Sequence, residues 1–164
     1  MDNSTQTETP PLYTPQKVTA GGMHSALGYL IAMTQRRLHE VLEQELQPLD
    51  LTAAQFVVII RLFQQPGMTA SDFCRILDYD PGAMKRLLDR IEHKGFIRRT
   101  RNPQDKRAVH LELTESGRQL QPEIMPKVCQ AYNRLLHGFS ADEAGQLEHL
   151  LQRILANSQI TDIA

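Results

Sequence analysis

The 164-residue sequence predicts a mainly α-helical fold with one two-stranded β-hairpin, and three observations support this prediction. Apolar residues recur at intervals of three and four along most of the chain, which is typical of amphipathic helices. Leucine is frequent and aromatic residues make up only 5% of the chain, which favours helices over sheets. Residues 81–114 combine a helix pattern with two short β patterns that a turn separates.

The first two helices have recognisable start and stop signals. The first is expected over about residues 24–47, where Pro48 stops it because proline cannot donate the next backbone hydrogen bond. Thr52–Gln55 forms a capping-box pattern at the start of the second helix, which Pro66-Gly67 ends. The expected buried face of the second helix consists of Phe56, Ile59, Ile60 and Phe63.

A short third helix and a longer fourth helix follow, separated by the few residues of a helix-turn-helix motif. Thr69–Asp72 repeats the capping pattern, and Asp80 caps the fourth helix with Pro81 at its first position. The fourth helix is expected to end at Gly95. The expected buried residues are Phe73, Ile76 and Leu77 in the third helix and Met84, Leu87, Leu88 and Ile91 in the fourth.

Two short strands, Ile97–Thr100 and Val109–Leu113, are expected next, joined by a turn that begins Asn-Pro-Gln-Asp. A helix followed by this hairpin is typical of a winged helix-turn-helix domain. A fifth helix is expected over about residues 114–137, bent or broken near Pro122 and Pro126. Ser140 starts a sixth helix, whose apolar side carries Leu147, Leu150, Leu151, Ile154 and Leu155.

These elements predict five regions along the chain. We expect a flexible N-terminal arm (residues 1–22), a first dimerisation helix (23–50), the winged helix-turn-helix domain (51–114), C-terminal dimerisation helices (115–158) and a tail (159–164). The outer helices are more apolar than so small a central domain could cover. The economical partner for them is a second copy of the chain, so we expect a homodimer.

The positive charge is concentrated in one place. Residues 84–107 hold nine Lys and Arg against three acidic residues, a net charge of +6 in a chain whose net charge is −1. A nucleic-acid backbone requires such a basic surface. A protein-binding winged-helix module is the rival interpretation, but such modules often lose the basic face. The retained charge therefore favours double-stranded DNA as the partner.

The sequence lacks the patterns of several other classes of protein. It has no apolar run of 18 residues and no signal-peptide pattern, so we expect a cytoplasmic protein without a membrane partner. Two cysteines form no disulfide framework, and no His-x-x-x-His or Cys-x-x-Cys pair predicts a metal site. No nucleophile–base set or phosphate-binding glycine loop is recognisable, so we expect neither an enzyme nor a cofactor.

A longer set of motifs resembles one family of regulators. The block Leu87–Gly117, LLDRIEHKGFIRRTRNPQDKRAVHLELTESG, contains a Lys-Gly turn, an Arg-bearing strand, an Asp-x-Arg wing and a Leu-Thr-x-x-Gly helix entry. Leu51–Phe56 fits the start of the family's second helix. The chain resembles a MarR-type winged helix-turn-helix regulator over about residues 26–156. It departs from the family at the start of the fourth helix, where Gly82, Ala83 and Lys85 stand instead of small hydroxyl residues.

The resemblance implies that the fourth helix enters the major groove of an inverted-repeat operator. Lys85 and Arg86 are then the expected base or phosphate contacts, with Arg90 on phosphate. Three sets of residues complete the expected interface: Gly82 and Ala83 for close approach, Thr69 and Ser71 with hydroxyls and free backbone N–H groups for phosphate, and Arg107 in the minor groove with Asp105 supporting the wing. The alternatives are a solvated basic face and a simple surface ion pair in the wing.

The resemblance also implies a repressor that a small aromatic carboxylate releases from DNA. Arg36 is the expected carboxylate partner, and Tyr29, Met33, Phe56 and Ile60 are the expected apolar wall. The alternatives are plain core for the apolar residues and a surface charge for Arg36. Redox input is the other alternative, although no cysteine lies near the start of the first helix. Cys74 is expected to be inert core, and Cys129 has no neighbouring base in the sequence.

Overall fold

The computed structural model describes residues 12–20, 26–101 and 109–158. It divides into two units, Met1–His39 and Glu40–Ala164, which are described separately. In the first unit, helix α1 (Pro15–Ala20) forms where the sequence suggested only a flexible arm. The Thr14 hydroxyl accepts a hydrogen bond from the Lys17 backbone N–H at 3.3 Å, and Pro15 suits the first helical position. This local cap and the proline account for the unexpected helix.

Helix α2 (Leu27–Leu46) continues from the first unit into the second. It ends close to the predicted stop, because a 3₁₀ turn over Gln47–Leu49 holds Pro48, and Asp50 then adopts a left-handed conformation. Its C-terminal part is buried in the second unit through Val41, Leu42 and Leu46. No single helix among the described residues is long and apolar enough to cross a membrane. The two helical segments Leu27–Leu49 and Ala53–Gln64, with a bend of 76° between them, are together long and apolar enough, by length and composition only.

Helix α3 (Ala53–Gln64) begins with the predicted capping box, in which Thr52 and Gln55 exchange hydrogen bonds of 3.1 and 3.2 Å. The predicted buried face was only half right. Phe56 and Ile59 are buried, but Ile60 and Phe63 are only partly buried. Val58 and Leu62 are buried in their place, because α3 packs on both α5 and β2 and these contacts decide which side is covered.

Helices α4 (Ala70–Leu77) and α5 (Pro81–His93) form the helix-turn-helix. All four residues predicted to be buried in α5 are buried, and Gly95, just beyond the helix, has a φ of 76°. In α4 only Phe73 is buried, so the prediction was wrong for Ile76, which is exposed, and for Leu77, which is partly buried. Helix α4 has only eight residues, and its packing on α5 and β2 buries only one narrow side of it.

Strands β1 (Ile97–Arg101) and β2 (Val109–Leu113) pair antiparallel in the predicted order. The register sets Ile97 opposite Leu113 and Thr100 opposite His110. Leu111 also exchanges backbone hydrogen bonds with the segment before α4, at 3.3 Å to Gly67 and 2.9 Å to Met68. The sequence did not predict this additional pairing. The predicted turn between the strands falls on residues 102–108, outside the described residues.

The predicted fifth helix is two helices, α6 (Glu115–Gln119) and α7 (Gln121–Leu135). The break at Leu120 lies just before Pro122, as predicted, whereas Pro126 lies inside α7 and does not end it. Helix α8 (Ala141–Ser158) starts at the predicted cap, where Ser140 and Glu143 hydrogen-bond each other. Its five predicted apolar residues are all exposed: Leu147, Leu150, Leu151, Ile154 and Leu155.

Candidate nucleic-acid interface

The start of α5 is shaped by a carboxylate cap and a glycine. The Asp80 carboxylate accepts hydrogen bonds from the backbone N–H groups of Gly82 at 2.8 Å and Ala83 at 2.9 Å. These bonds hold the pKa of Asp80 below its usual value. A Cβ atom on Gly82 would lie 3.2 Å from Asp80 Oδ1 and 3.5 Å from Arg86 Nη1. Gly82 therefore leaves room for the cap and for the Arg86 side chain.

Three basic side chains are exposed on α5, namely Lys85, Arg86 and Arg90. Lys85 forms an ion pair with Asp89, with its Nζ atom 2.7 Å from Oδ2. Arg86 and Arg90 form no ion pair with any residue that the structure describes. Because they are four positions apart, they lie on the same side of the helix. These two arginines are therefore available to an external anion.

Arg99 ties strand β1 to α5. Its Nη2 atom lies 2.7 Å from Asp89 Oδ1, and its guanidinium also pairs with Glu92. The Arg99 backbone N–H donates to Glu92 as well, at 3.2 Å. Lys85 and then Arg99 are the main causes of the lowered pKa of Asp89. The base of the hairpin and the exposed basic helix are thus joined by a network of four charged groups.

Two further basic residues of the predicted patch are paired with acids from elsewhere in the chain. Arg98 donates two hydrogen bonds to Glu112 on β2, at 2.8 and 3.1 Å, and lowers the pKa of that carboxyl group. Lys94 Nζ lies 3.0 Å from Asp50 Oδ2 and donates to Gln55 at 3.3 Å. The charge count over residues 84–107 missed these acids because they are distant in sequence. The patch therefore has fewer available cations than the sequence suggested.

At the start of α4, Thr69 forms the helix cap with Asp72. The Thr69 backbone N–H and hydroxyl both donate to Asp72 Oδ2, at 2.9 and 2.8 Å, and the hydroxyl accepts from the Asp72 backbone N–H. The predicted free N–H of Thr69 is therefore occupied, because a carboxylate at the third helical position satisfies it. These bonds hold the pKa of Asp72 low. Ser71 is exposed, as its predicted role requires.

Other predicted residues are placed separately or lie outside the described ranges. Asp105 and Arg107 fall within residues 102–108, so their predicted roles stay predictions. Tyr29 and Met33 are partly buried and Arg36 is exposed, all in the first unit. In the second unit, Phe56 is buried and Ile60 is partly buried.

The second unit has an open cleft of about 390 Å³, which Phe56 and Ile60 do not line. Its walls are Leu62, Phe63, Pro66, Gly67, Glu112, Leu113 and Arg118.

Cys74 is only partly buried rather than core, and Cys129 is exposed. Among the described residues, no group of three or more His, Cys, Asp or Glu side chains could hold a metal ion.

Comparisons with known proteins agree with this architecture. Residues 51–109 match the sequence model of the MarR family. The chain is 37% identical over 130 residues to the multiple antibiotic resistance protein MarR of Escherichia coli K12, covering 79% of this chain and 90% of that protein. It is 27% identical over 127 residues to the HTH-type transcriptional regulator YybA of Bacillus subtilis 168, covering 77% and 85%.

Solved structures give the same result. Wild-type apo MarR from E. coli superposes with a TM-score of 0.70 at 37% identity, over 79% of this chain and 96% of that one. A mutant of E. coli MarR in complex with operator DNA gives 0.72 at 37% identity, over 79% and 93%. A putative MarR-family regulator from Listeria monocytogenes with a 26mer DNA gives 0.72 at 26% identity, over 80% and 87%. The chain therefore belongs to the MarR family of winged-helix transcriptional regulators.

Proposed function

We propose that the protein is a homodimeric, sequence-specific DNA-binding regulator that inserts α5 into the major groove. The observation that carries this proposal is the pair Arg86 and Arg90, exposed on one side of α5 without an ion pair to any described residue. An arginine in this setting can contact guanine edges with two hydrogen bonds, or phosphate. Two similar structures hold DNA, one an operator and one a 26mer, which supports the same partner here.

The predicted DNA-contacting residues that the structure describes, apart from Lys85, are proposed to have the following roles. Arg86 is the leading base contact, because Gly82 leaves space beside its guanidinium. Arg90, one turn further along, contacts phosphate. Gly82 and Ala83 allow close approach of the helix, and Ser71 donates to phosphate from the start of α4. Thr69 serves as the cap of α4 rather than as a phosphate ligand. Arg107 in the minor groove, with Asp105 supporting the wing, stays part of the proposal.

A second copy of the chain is the proposed cover for α8. Every described side chain of this 18-residue helix is exposed or only partly buried, and its apolar residues lie on one side. A helix of this length gains little stability in water by itself and depends on packing of its apolar face. Leu27, Leu30 and Ile31 of α2 are also exposed. A symmetric dimer would bury such surfaces and present two α5 helices to DNA.

The effector proposal is that a small aromatic carboxylate weakens DNA binding and so relieves repression. Arg36 would hold the carboxylate, and the roles of Tyr29, Met33, Phe56 and Ile60 as an apolar wall stay predictions. Calorimetry with benzoate, hydroxybenzoates and pyridine carboxylates tests this role. Heat of binding that Arg36→Ala abolishes supports it, whereas no heat from any member of the panel removes it. A response to peroxide that requires the exposed Cys129 would favour redox input instead.

Selection from a random-sequence duplex pool, followed by fluorescence anisotropy in a salt series, tests DNA binding. The selected site should be an inverted repeat with half-site centres about one helical turn apart. With 6–10 phosphate contacts, affinity should fall by about 10³–10⁵ between 50 and 200 mM salt. Failure to enrich any sequence, or an affinity that salt does not change, would contradict the proposed function.

A further inference from the structure

The side chain of Asp89 faces two cations that differ in how strongly they are held. Oδ2 lies 2.7 Å from Lys85 Nζ, and Oδ1 lies 2.7 Å from Arg99 Nη2. The Lys85 side chain is 75% exposed, whereas that of Arg99 is 33% exposed. Arg99 is also paired with Glu92, but Asp89 is the only acid that forms an ion pair with Lys85 among the described residues. Lys85 is thus the cation that can leave.

We propose that Asp89 sets the DNA affinity of this protein by competing with DNA for Lys85, an inference that rests on the proposed function. In the unbound protein the ammonium group of Lys85 is held along the helix by Asp89. On DNA, Lys85 exchanges this carboxylate for a phosphate oxygen or a base edge. Asp89 keeps Arg99 as its partner throughout, so the exchange leaves no carboxylate without a cation.

The geometry makes this exchange inexpensive. An exposed lysine–carboxylate pair four positions apart on a helix is weak, because water and salt screen it. Arg99 is held more firmly, since two acids of α5 accept from its guanidinium and Glu92 also accepts from its backbone N–H. The hairpin base therefore keeps its position on α5 when Lys85 moves. Asp89 consequently acts on DNA affinity through Lys85 rather than by contact with DNA.

The test is a double-mutant cycle on the full chain, with the duplex that the wild type selects from random DNA as the probe. The variants are Asp89→Asn, Lys85→Ala and the double variant. Glu115→Gln is the matched control, because Glu115 is an exposed carboxylate paired with Arg118 on α6. Asp89→Glu keeps the charge and should stay near wild type. Thermal unfolding of each variant shows whether it is folded, and Asp89→Ser replaces Asp89→Asn if that variant does not fold.

We expect Asp89→Asn to tighten binding by about two- to fivefold per half-site, because releasing Lys85 from one exposed ion pair allows no larger gain. The gain should vanish in the Lys85→Ala background, should shrink as salt rises, and should be absent in Glu115→Gln. An equal gain with Lys85 removed would overturn the inference, because Asp89 would then act only by its charge. So would an equal gain in Glu115→Gln, or weaker binding by Asp89→Asn. If the wild type selects no DNA, the proposed function itself fails.

Discussion

The carbonyl oxygen of Phe96 lies only 2.0 Å from the place that a Cβ atom on Gly117 would occupy. The same carbonyl accepts a hydrogen bond from the Thr114 backbone N–H at 3.0 Å. The Thr114 hydroxyl donates to the Gly95 carbonyl and accepts from the Gly117 backbone N–H at 3.0 Å. The Lys-Gly turn after α5 and the Leu-Thr-x-x-Gly helix entry therefore contact each other closely through their backbones. This contact positions the hairpin between α5 and α6.

Gly117→Ala should destabilise the protein, because the new methyl group meets backbone rather than a flexible side chain. Forcing an extra carbon into a packed site typically costs about 1–3 kcal/mol, and backbone contact puts this site at the upper end. Urea unfolding followed by circular dichroism measures the change. Gly145→Ala on α8 is the control, since nothing lies within 4 Å of its Cβ position. A Gly117→Ala variant as stable as Gly145→Ala would contradict this account.

Stability should be lost in acid. Among the residues that the structure describes, five carboxyl groups have a pKa below the ordinary values of 3.8 for Asp and 4.5 for Glu: Asp72, Asp80, Asp89, Glu112 and Glu143. Below these ordinary values the unfolded chain binds more protons than the folded protein does. Their contribution to the free energy of unfolding is therefore complete above about pH 5 and declines as the pH falls through each folded pKa.

Urea unfolding at a series of pH values measures this decline. Asp80→Asn should be less stable than wild type at neutral pH and should lose less stability on acidification, because the helix cap no longer titrates. Glu148→Gln is the control, since Glu148 is an exposed residue of α8 whose carboxylate forms no hydrogen bond with any residue that the structure describes. An Asp80→Asn curve parallel to that of wild type would show that this cap does not contribute to acid sensitivity.

Arg86→Ala and Arg90→Ala should weaken DNA binding in different ways. Loss of a base contact by Arg86 should cost about 1–3 kcal/mol and relax discrimination at one or two positions of each half-site. Loss of a phosphate contact by Arg90 should weaken all sequences alike and reduce the salt slope by about one unit per contact. Binding isotherms on single-base variants of the selected site distinguish the two results.

Lys127→Ala on α7 is the control for charge, because it removes one cation from another helix. Arg86→Ala that weakens every sequence equally would reduce Arg86 to a phosphate contact. Arg107→Ala adds a comparison for the wing: its loss should be greatest on sites with A·T-rich flanks, where a narrow minor groove concentrates negative potential.

Leu151→Glu should convert the proposed dimer to monomer, because it sets a carboxylate on the exposed apolar side of α8. An unpaired charge in a packed apolar interface is strongly unfavourable. Gln152→Glu introduces the same charge at the next exposed position and is the control. Light scattering at micromolar concentration gives the mass of each species. A wild type that is monomeric with native helicity would contradict the dimer proposal.

The local features of this fold could be predicted from the sequence alone. The capping boxes at Thr52 and Thr69, the buried side of α5 and the helix break before Pro122 all follow from residues within a few positions of one another. A helix cap needs only a side chain and backbone N–H groups two or three residues away, so the sequence contains all the information required. The order of the helices and strands, and with it the winged-helix fold, was predictable for the same reason.

Which charges remain available and which helix faces are buried depends on contacts between distant parts of the chain. Lys94 forms an ion pair with Asp50, and Arg98 forms one with Glu112. The partners are too far apart in the sequence for a local residue pattern to predict these pairs. On α3, Val58 and Leu62 are buried instead of the predicted Ile60 and Phe63, because α3 packs on two other elements at once. Ion pairs and burial depend on neighbours in space, and folding brings those neighbours from distant parts of the chain. The basic surface is therefore smaller than the charge count over residues 84–107 predicted. It is partly neutralised by ion pairs and centred on Arg86 and Arg90.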